Sequence, residues 1–229
     1  MNAPLGFDEA KAGDLFLKVG VGHLRRKDDS PYHFSKKYEI VNRGKWEVSS
    51  GEAFFEAVHV IEPLRDWGYE YKKRIELVDP ASIAITYRLK NTGQRTISTD
   101  YYSHNFFVFN SEMIGEGDGV EILADNAAPK LRPPAQVHPR KVEFTGDIIP
   151  GKGYFLEVPL PDSLENRPLA RIYQKRSGAS VVISSTCSPY KLAIYGHSRA
   201  LCAEPFVRIQ LEPGKEMEWT DTYQLIVRR

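Results

Sequence analysis

A chain of 229 residues with 31 basic and 30 acidic side chains carries a formal charge of +1, and 41% of its residues are hydrophobic. That balance excludes the electrostatic footprint of a nucleic-acid binder or of a protein held to a membrane surface by charge. No apolar run approaches the roughly 18 residues of a membrane span. The length suits one domain, residues 1–229, able to bury roughly 70–75% of its unfolded surface without disulfide staples.

Residues 1–14 contain no apolar signal core, so the chain as given is expected in the cytoplasm, or in the periplasm or medium if its start has been trimmed. Residues 15–21 form the first strand candidate. Gly20-Val21-Gly22 lacks a third glycine and a following helix, so it reads as a bulge or strand end. The basic cluster His23-Leu24-Arg25-Arg26-Lys27 runs straight into Asp28-Asp29 and reads as a solvated turn; a phosphate-binding patch is the sharper alternative. Strand candidates follow at 38–41, 46–49 and 53–61. Residues 69–77 alternate Tyr69, Tyr71, Lys73, Ile75 and Leu77 against Glu70, Lys72, Arg74 and Glu76, which is an amphipathic strand. Asp79-Pro80-Ala81 turns it into a second alternating strand, 82–90, and the pair makes a hairpin.

Asn91-Thr92-Gly93 then turns the chain into a long strand, 96–110, that carries His104 among five aromatic residues. Aromatic faces stack on the apolar faces of sugar rings, and an imidazole moves protons near neutral pH. A core histidine held by hydrogen bonds is the plainer reading. Alternation places Tyr102 and Phe106 on the His104 face, and Asn105 on the other, where it would hold the strand in place. Further strands are expected at 120–123, 141–144, 153–158, 170–175, 181–185, 191–196, 206–211 and 217–227. Residues 112–119 and 126–139 read as long loops. The best helical candidate, 162–166, is a single turn. Many short strands with turn signals between them mean an all-β sandwich or barrel.

No P-loop, H-E-x-x-H, G-x-S-x-G or paired C-x-x-C occurs. The six histidines show no close metal-ligand spacing, so neither metal nor cofactor is expected. Cys187 and Cys202 are too few for a disulfide framework. Both sit in apolar segments that read as strands, and buried free thiols are expected, with a single disulfide open if the two strands are neighbours. Glu204, just before Pro205 and Phe206, lies in an apolar context and must be paired, hydrogen-bonded or facing a cleft. A strand-end salt bridge to Arg199 or Arg208 would satisfy it.

Together these segments resemble a known family. N-T-G followed by the aromatic-flanked H-N-F-F at 104–107, and later C-A-E-P at 202–205 with L-E-P-G-K-E-M-E-W at 211–219, is similar to the galactose mutarotases (aldose 1-epimerases). K-V-G-V-G-H-L at 18–24 and Y-E-Y-K-K-R-I-E-L at 69–77 resemble uncharacterised bacterial members of that superfamily. The resemblance implies a β-supersandwich, a large twisted antiparallel sandwich with very little helix, here lacking some N-terminal strands usual in the superfamily. It implies that His104 protonates the ring oxygen of a free sugar while Glu204 takes the proton of the anomeric hydroxyl. Tyr102, Phe106, Arg25, Lys73 and His197 are assigned to the substrate. The H-G-G loop that supplies a second histidine and an arginine has no clear match, and His59, His23 and Arg25 are its nearest substitutes. The partner is then a small sugar or oligosaccharide, with a homodimer through exposed sheet edges also compatible. A carbohydrate-binding protein without turnover, and a sugar domain related to polysaccharide lyases or hydrolases (suggested by Tyr101-Tyr102), are the competing readings.

Overall fold

The computed structural model describes residues 3–124, 135–138 and 140–227. Its strands are β1 (Leu15–Lys18), β2 (Gly22–Arg25), β3 (Glu39–Asn42), β4 (Lys45–Ser50), β5 (Phe54–Leu64), β6 (Trp67–Asp79), β7 (Ser82–Asn91), β8 (Ile97–Tyr102) and β9 (Gly119–Ile122). They continue with β10 (Ala135–His138), β11 (Lys141–Phe144), β12 (Tyr154–Pro159), β13 (Arg167–Tyr173), β14 (Ala179–Ser185), β15 (Lys191–His197), β16 (Ala200–Leu211) and β17 (Glu216–Val227). The antiparallel all-β architecture expected from the period-two pattern is present, and no helix forms among the described residues. The one-turn candidate at 162–166 holds Ser163 and Asn166 at φ of 67° and 59°, which an α-helix does not accommodate.

Packing groups the chain into two compact units. The first comprises Met1–Glu76, Ile85–Asp100 and Arg208–Trp219. It contains the three-stranded sheet β1-β2-β3 and the run β4-β5-β6-β7. A small aromatic core joins Phe7, Phe16 and Leu24 to the partly buried Tyr32 and Tyr38, with Phe7–Phe16 and Phe16–Tyr38 ring centroids 5.0 and 5.2 Å apart in edge-to-face contact. Alternation along β7 buries Ile85, Tyr87, Leu89 and Asn91.

The basic cluster is not a solvated turn. Residues 23–25 form most of β2, where Gly22 lets the backbones close: a Cβ there would lie 2.1 Å from the Asn42 carbonyl oxygen. His23 is buried with Nε2 3.0 Å from the Glu62 carbonyl. Arg26 donates to the carbonyls of Phe7, Ala10, Asp28, Asp29 and Ser30, so its charge organises loops and is spent inside the unit.

The Asn91-Thr92-Gly93 turn is fixed from within. Asn91 is fully buried; its Oδ1 accepts from Gly93 N, and its Nδ2 donates to the Arg95 and Leu211 carbonyls at 2.9 and 2.8 Å. Gly93 is required by close approach, since a Cβ would stand 2.2 Å from the Asp66 carbonyl oxygen.

The second unit comprises Leu77–Ala84, Tyr101–Val207 and Thr220–Arg229. It contains the run β10-β11-β9-β13-β14-β17 and most of the four-stranded sheet β12-β15-β16-β8. Val120, Ile122, Leu169, Ile172, Leu192 and Ile194 are fully buried in it. Three expectations change here. Residues 135–138, assigned to a loop, pair with β11 as strand β10, while 125–134 and 139 lie outside the described residues. The strand expected over 96–110 stops at Tyr102, and Asn110 and Ser111 turn at φ of 50° and 59°. Cys187 lies beyond the end of β14, only partly buried, and both cysteines are free.

Replacing Asn91 by Ala removes the side-chain partner of one buried carbonyl, Leu211, of one buried N–H, Gly93, and of the part-buried Arg95 carbonyl. We expect a loss of about 2–4 kcal/mol, read as a lower denaturant midpoint at unchanged slope. A loss under about 0.5 kcal/mol would remove Asn91 from the role assigned here.

Candidate active site

β16 reads A-L-C-A-E-P-F-V-R-I-Q-L, and successive side chains of a strand point to opposite faces. Cys202, Glu204 and Phe206 therefore share one face, and Leu201, Ala203, Pro205 and Val207 the other. Both faces are covered, which is why Glu204 is only 2% exposed despite its charge. The register across β15 sets Tyr195 opposite Cys202, Ala193 opposite Glu204 and Lys191 opposite Phe206. One strand further out, Phe155, Glu157 and Pro159 of β12 stand opposite Tyr195, Ala193 and Lys191.

The other half of the site comes from the segment after β8. Phe107 and Leu201 exchange two backbone hydrogen bonds, N–H to O of 2.9 and 3.1 Å, in an antiparallel bridge. Extending that register in steps of two sets Phe106 against Cys202, His104 against Glu204 and Tyr102 against Phe206. The side chains agree. Tyr102 stacks on Phe206 at 4.5 Å with planes 4° apart. His104 Nδ1 lies 3.3 Å from Glu204 Oε1 and 3.3 Å from Cys202 Sγ. The His104 ring touches Phe106 at 4.5 Å and meets Tyr195 edge-on at 5.2 Å. Asn105, on the opposite side, donates to the Tyr223 hydroxyl at 2.7 Å and holds the segment in place. His104 thus sits in an extended segment beside β16, rather than on a strand of its own.

The polar atoms are poorly compensated. Glu204 Oε1 is buried and, although 3.3 Å from His104 Nδ1, has no hydrogen-bond donor aligned with it. Burial raises the Glu204 carboxyl to about 7, and burial lowers the His104 imidazole. Burial, followed by the nearby Glu204 charge, pushes the Cys202 thiol upward. These directions run against the ion pair that the resemblance requires near pH 7. They favour a neutral imidazole beside a carboxyl that is half protonated there. His104 keeps a 37% exposed side chain and Phe106 is 57% exposed, so the pair opens to solvent along an aromatic rim.

The remaining assigned residues divide. His197 ends β15 on the Tyr195 face by alternation and is half-buried. Lys191, unassigned from sequence, lies 4.2 Å over the Phe206 ring and pairs with Glu157 at 2.5 Å. Arg25 and Lys73 belong to the first unit and are engaged there: Arg25 with Glu39 at 2.8 Å and the Gly13 carbonyl, Lys73 over the Tyr87 ring at 5.5 Å. His59, the nearest substitute for a second histidine, is a buried structural side chain of that unit. Its Nε2 faces the Arg43 carbonyl at 2.8 Å, its Nδ1 the Tyr69 hydroxyl at 3.0 Å, and Trp46 stacks on it at 4.2 Å. Sequence reading missed Tyr195 and the contact of Cys202 with His104. The C-x-E spacing on one strand face was the available signal. Cavities of about 710 and 510 Å³ lie elsewhere in the second unit, the larger lined by Glu112, Glu116, Asp118 and Asp147, and neither includes His104 or Glu204.

No protein-family model matches the chain, and the comparison with curated proteins finds no match. Solved structures do resemble it. A galactose mutarotase related enzyme from Lactobacillus acidophilus superposes with a TM-score of 0.60 at 12% identity, covering 86% of this chain and 80% of its own. A galactose mutarotase-like protein from Clostridium acetobutylicum gives 0.60 at 15% identity, with 95% and 77% covered. An aldose epimerase homologue from C. elegans gives 0.60 at 13% identity, with 97% and 85% covered. At such identities the likeness speaks of architecture, and the chain has the galactose mutarotase-like β-sandwich fold.

Proposed function

We propose that the protein is carbohydrate-active and interconverts the anomers of a free sugar by acid–base ring opening, with His104 as acid and Glu204 as base. The observation that supports this reading is the 3.3 Å contact between His104 Nδ1 and Glu204 Oε1 beside an exposed aromatic rim. The two oxygens that exchange protons in mutarotation are both bonded to the anomeric carbon. Neighbouring groups 3.3 Å apart can therefore serve both oxygens of one sugar. Phe106 and Tyr195 offer ring faces and edges to the apolar side of a pyranose, and Tyr102 and His197 extend the same surface. The sugar enters along the exposed edge of His104, because Glu204 has almost no surface of its own.

Chemically, the base takes the anomeric hydroxyl proton while the acid protonates the ring oxygen. The C1–ring oxygen bond breaks, the aldehyde group rotates, and closure returns both protons. The pair must hold one proton in total. Two protons leave nothing to accept the hydroxyl proton, and none leaves nothing to donate. Sugar binding without turnover is the second reading, favoured by the burial that keeps Glu204 partly protonated at neutral pH.

Anomer-exchange NMR across free aldoses and uronic acids tests the proposal. We expect acceleration for at least one sugar, a bell-shaped pH profile of kcat/KM, and losses of roughly 10²–10⁴-fold in Glu204→Gln and His104→Ala. Uncatalysed rates in the parent for every sugar would overturn it, and saturable binding with no exchange would establish the second reading.

The same carboxyl makes a stability prediction. Its folded value, about 7, lies above the 4.5 of an unperturbed glutamate, so between those values the unfolded chain releases a proton that the folded chain keeps. Stability should fall as pH rises from about 4.5 to about 7, by a few kcal/mol in all. Glu204→Gln should abolish that component and be the more stable form relative to the parent at pH 8 than at pH 4.5. Parallel melting-temperature profiles for the two proteins from pH 4.5 to 8 would refute this.

A further inference from the structure

His104, Cys202 and Glu204 bring one nitrogen, one sulfur and one oxygen ligand atom within 4.8 Å of one another. Tetrahedral zinc, with Zn–N and Zn–O near 2.0–2.1 Å and Zn–S near 2.3 Å, separates N from O by about 3.3 Å and N from S by about 3.6 Å. The corresponding distances here are 3.3 and 3.3 Å. Glu204 Oε1 points into this space, buried and without a hydrogen-bond partner, and among the described residues its ion-pair contact is with His104, not with a lysine or arginine. Lys191, on the same sheet face, is committed to Glu157. Two groups that can become anions therefore share a buried position with no fixed cation beside them. Such a position suits a divalent ion, because buried charges require a partner or a metal. The spacing of histidines along the chain hides the site. Two of its ligands are alternate residues of one strand, and the third arrives through the Phe107–Leu201 bridge.

We infer that His104 Nδ1, Cys202 Sγ and Glu204 Oε1 form a three-ligand site for a borderline-soft divalent transition metal of the zinc class. The fourth position opens along the exposed edge of His104, toward water or a ligand oxygen. Binding replaces the thiol proton of Cys202, and the carboxyl proton when Glu204 holds one, with metal bonds. Both protons leave to solvent, and no electron is transferred. Thiolate, imidazole and carboxylate together select zinc or cobalt over magnesium or calcium, which prefer oxygen alone.

Cobalt(II) chloride added to the full-length, metal-free, reduced protein tests this. We expect a thiolate-to-cobalt charge-transfer band that zinc displaces and excess magnesium does not. Because the chain has only two cysteines, Cys187→Ser should keep the band and Cys202→Ser should lose it. His104→Ala and Glu204→Gln should each weaken binding at least about tenfold. No band in the parent, or a band lost in Cys187→Ser and kept in Cys202→Ser, would overturn the assignment. Should Cys202→Ser fail to fold, the Cys187→Ser protein, with one remaining sulfur, decides alone. A bound metal would occupy the same Nδ1 and Oε1 that the acid–base reading uses, so that reading belongs to the metal-free protein; the band is read without sugar and anomer exchange without metal, and the two failures are therefore distinguishable.

Discussion

The site depends on one antiparallel pairing, that of β8 with β16, which the Phe107–Leu201 bridge continues. Two hydrogen bonds between Phe107 and Leu201 clamp the segment after β8 to the edge of β16. The contacts of the candidate site then follow from antiparallel register: Tyr102 over Phe206, His104 against Glu204, Phe106 beside Cys202. The behaviour of the pair follows in turn from where the register puts it. A strand covered on both faces desolvates Glu204, and the neighbouring aromatic rings desolvate part of His104. The protein thus sets the proton affinity of the pair by burial, and among the described residues no lysine or arginine pairs with Glu204. That is the less selective route to a shifted pKa, and Glu204 Oε1 has no hydrogen-bond partner beside it.

The two ends of the Asn91–Asn110 segment behave differently. Asn91 and Gly93 hold the turn by buried hydrogen bonds and backbone contact, so the N-T-G motif is structural. His104 and Phe106, further along, present surface. One stretch of chain therefore has a rigid root and an exposed working end. Asn105 and its hydrogen bond to Tyr223 keep that end from drifting.

Much of the fold was legible because β6 and β7 alternate cleanly in sequence; β7 buries one face accordingly, while β6 grades from buried at Trp67–Tyr69 to exposed at Leu77–Asp79. The same rule fails on β16. A strand buried on both sides reads as a continuous apolar run, and its first half was overlooked except for the anomaly of Glu204. β2 was hidden for the opposite reason: its basic residues look solvated, yet Arg26 beside it donates its hydrogen bonds to main-chain carbonyls that no local pattern reveals. Asn105 was readable, since alternation alone puts it behind His104. The Cys202–His104 contact was not. It joins positions 98 residues apart through a single bridge, and nothing in either segment specifies the other. Arg25 and Lys73 show the converse limit, plausible side chains whose partners in the first unit are fixed by fold rather than by motif.

The direct contact of an imidazole and a carboxyl has one further consequence. In the state that holds one proton, the two groups together carry no net charge, whether that proton rests on nitrogen or on oxygen. Shifting it converts a neutral pair into a dipole without drawing an ion from solution. Screening by dissolved salt acts on net charges at distances of about 10 Å at 0.1 M, far longer than the 3.3 Å involved here. The internal proton equilibrium of the site is therefore insulated from ionic strength, in a chain whose overall charge of +1 gives it no long-range field to lose.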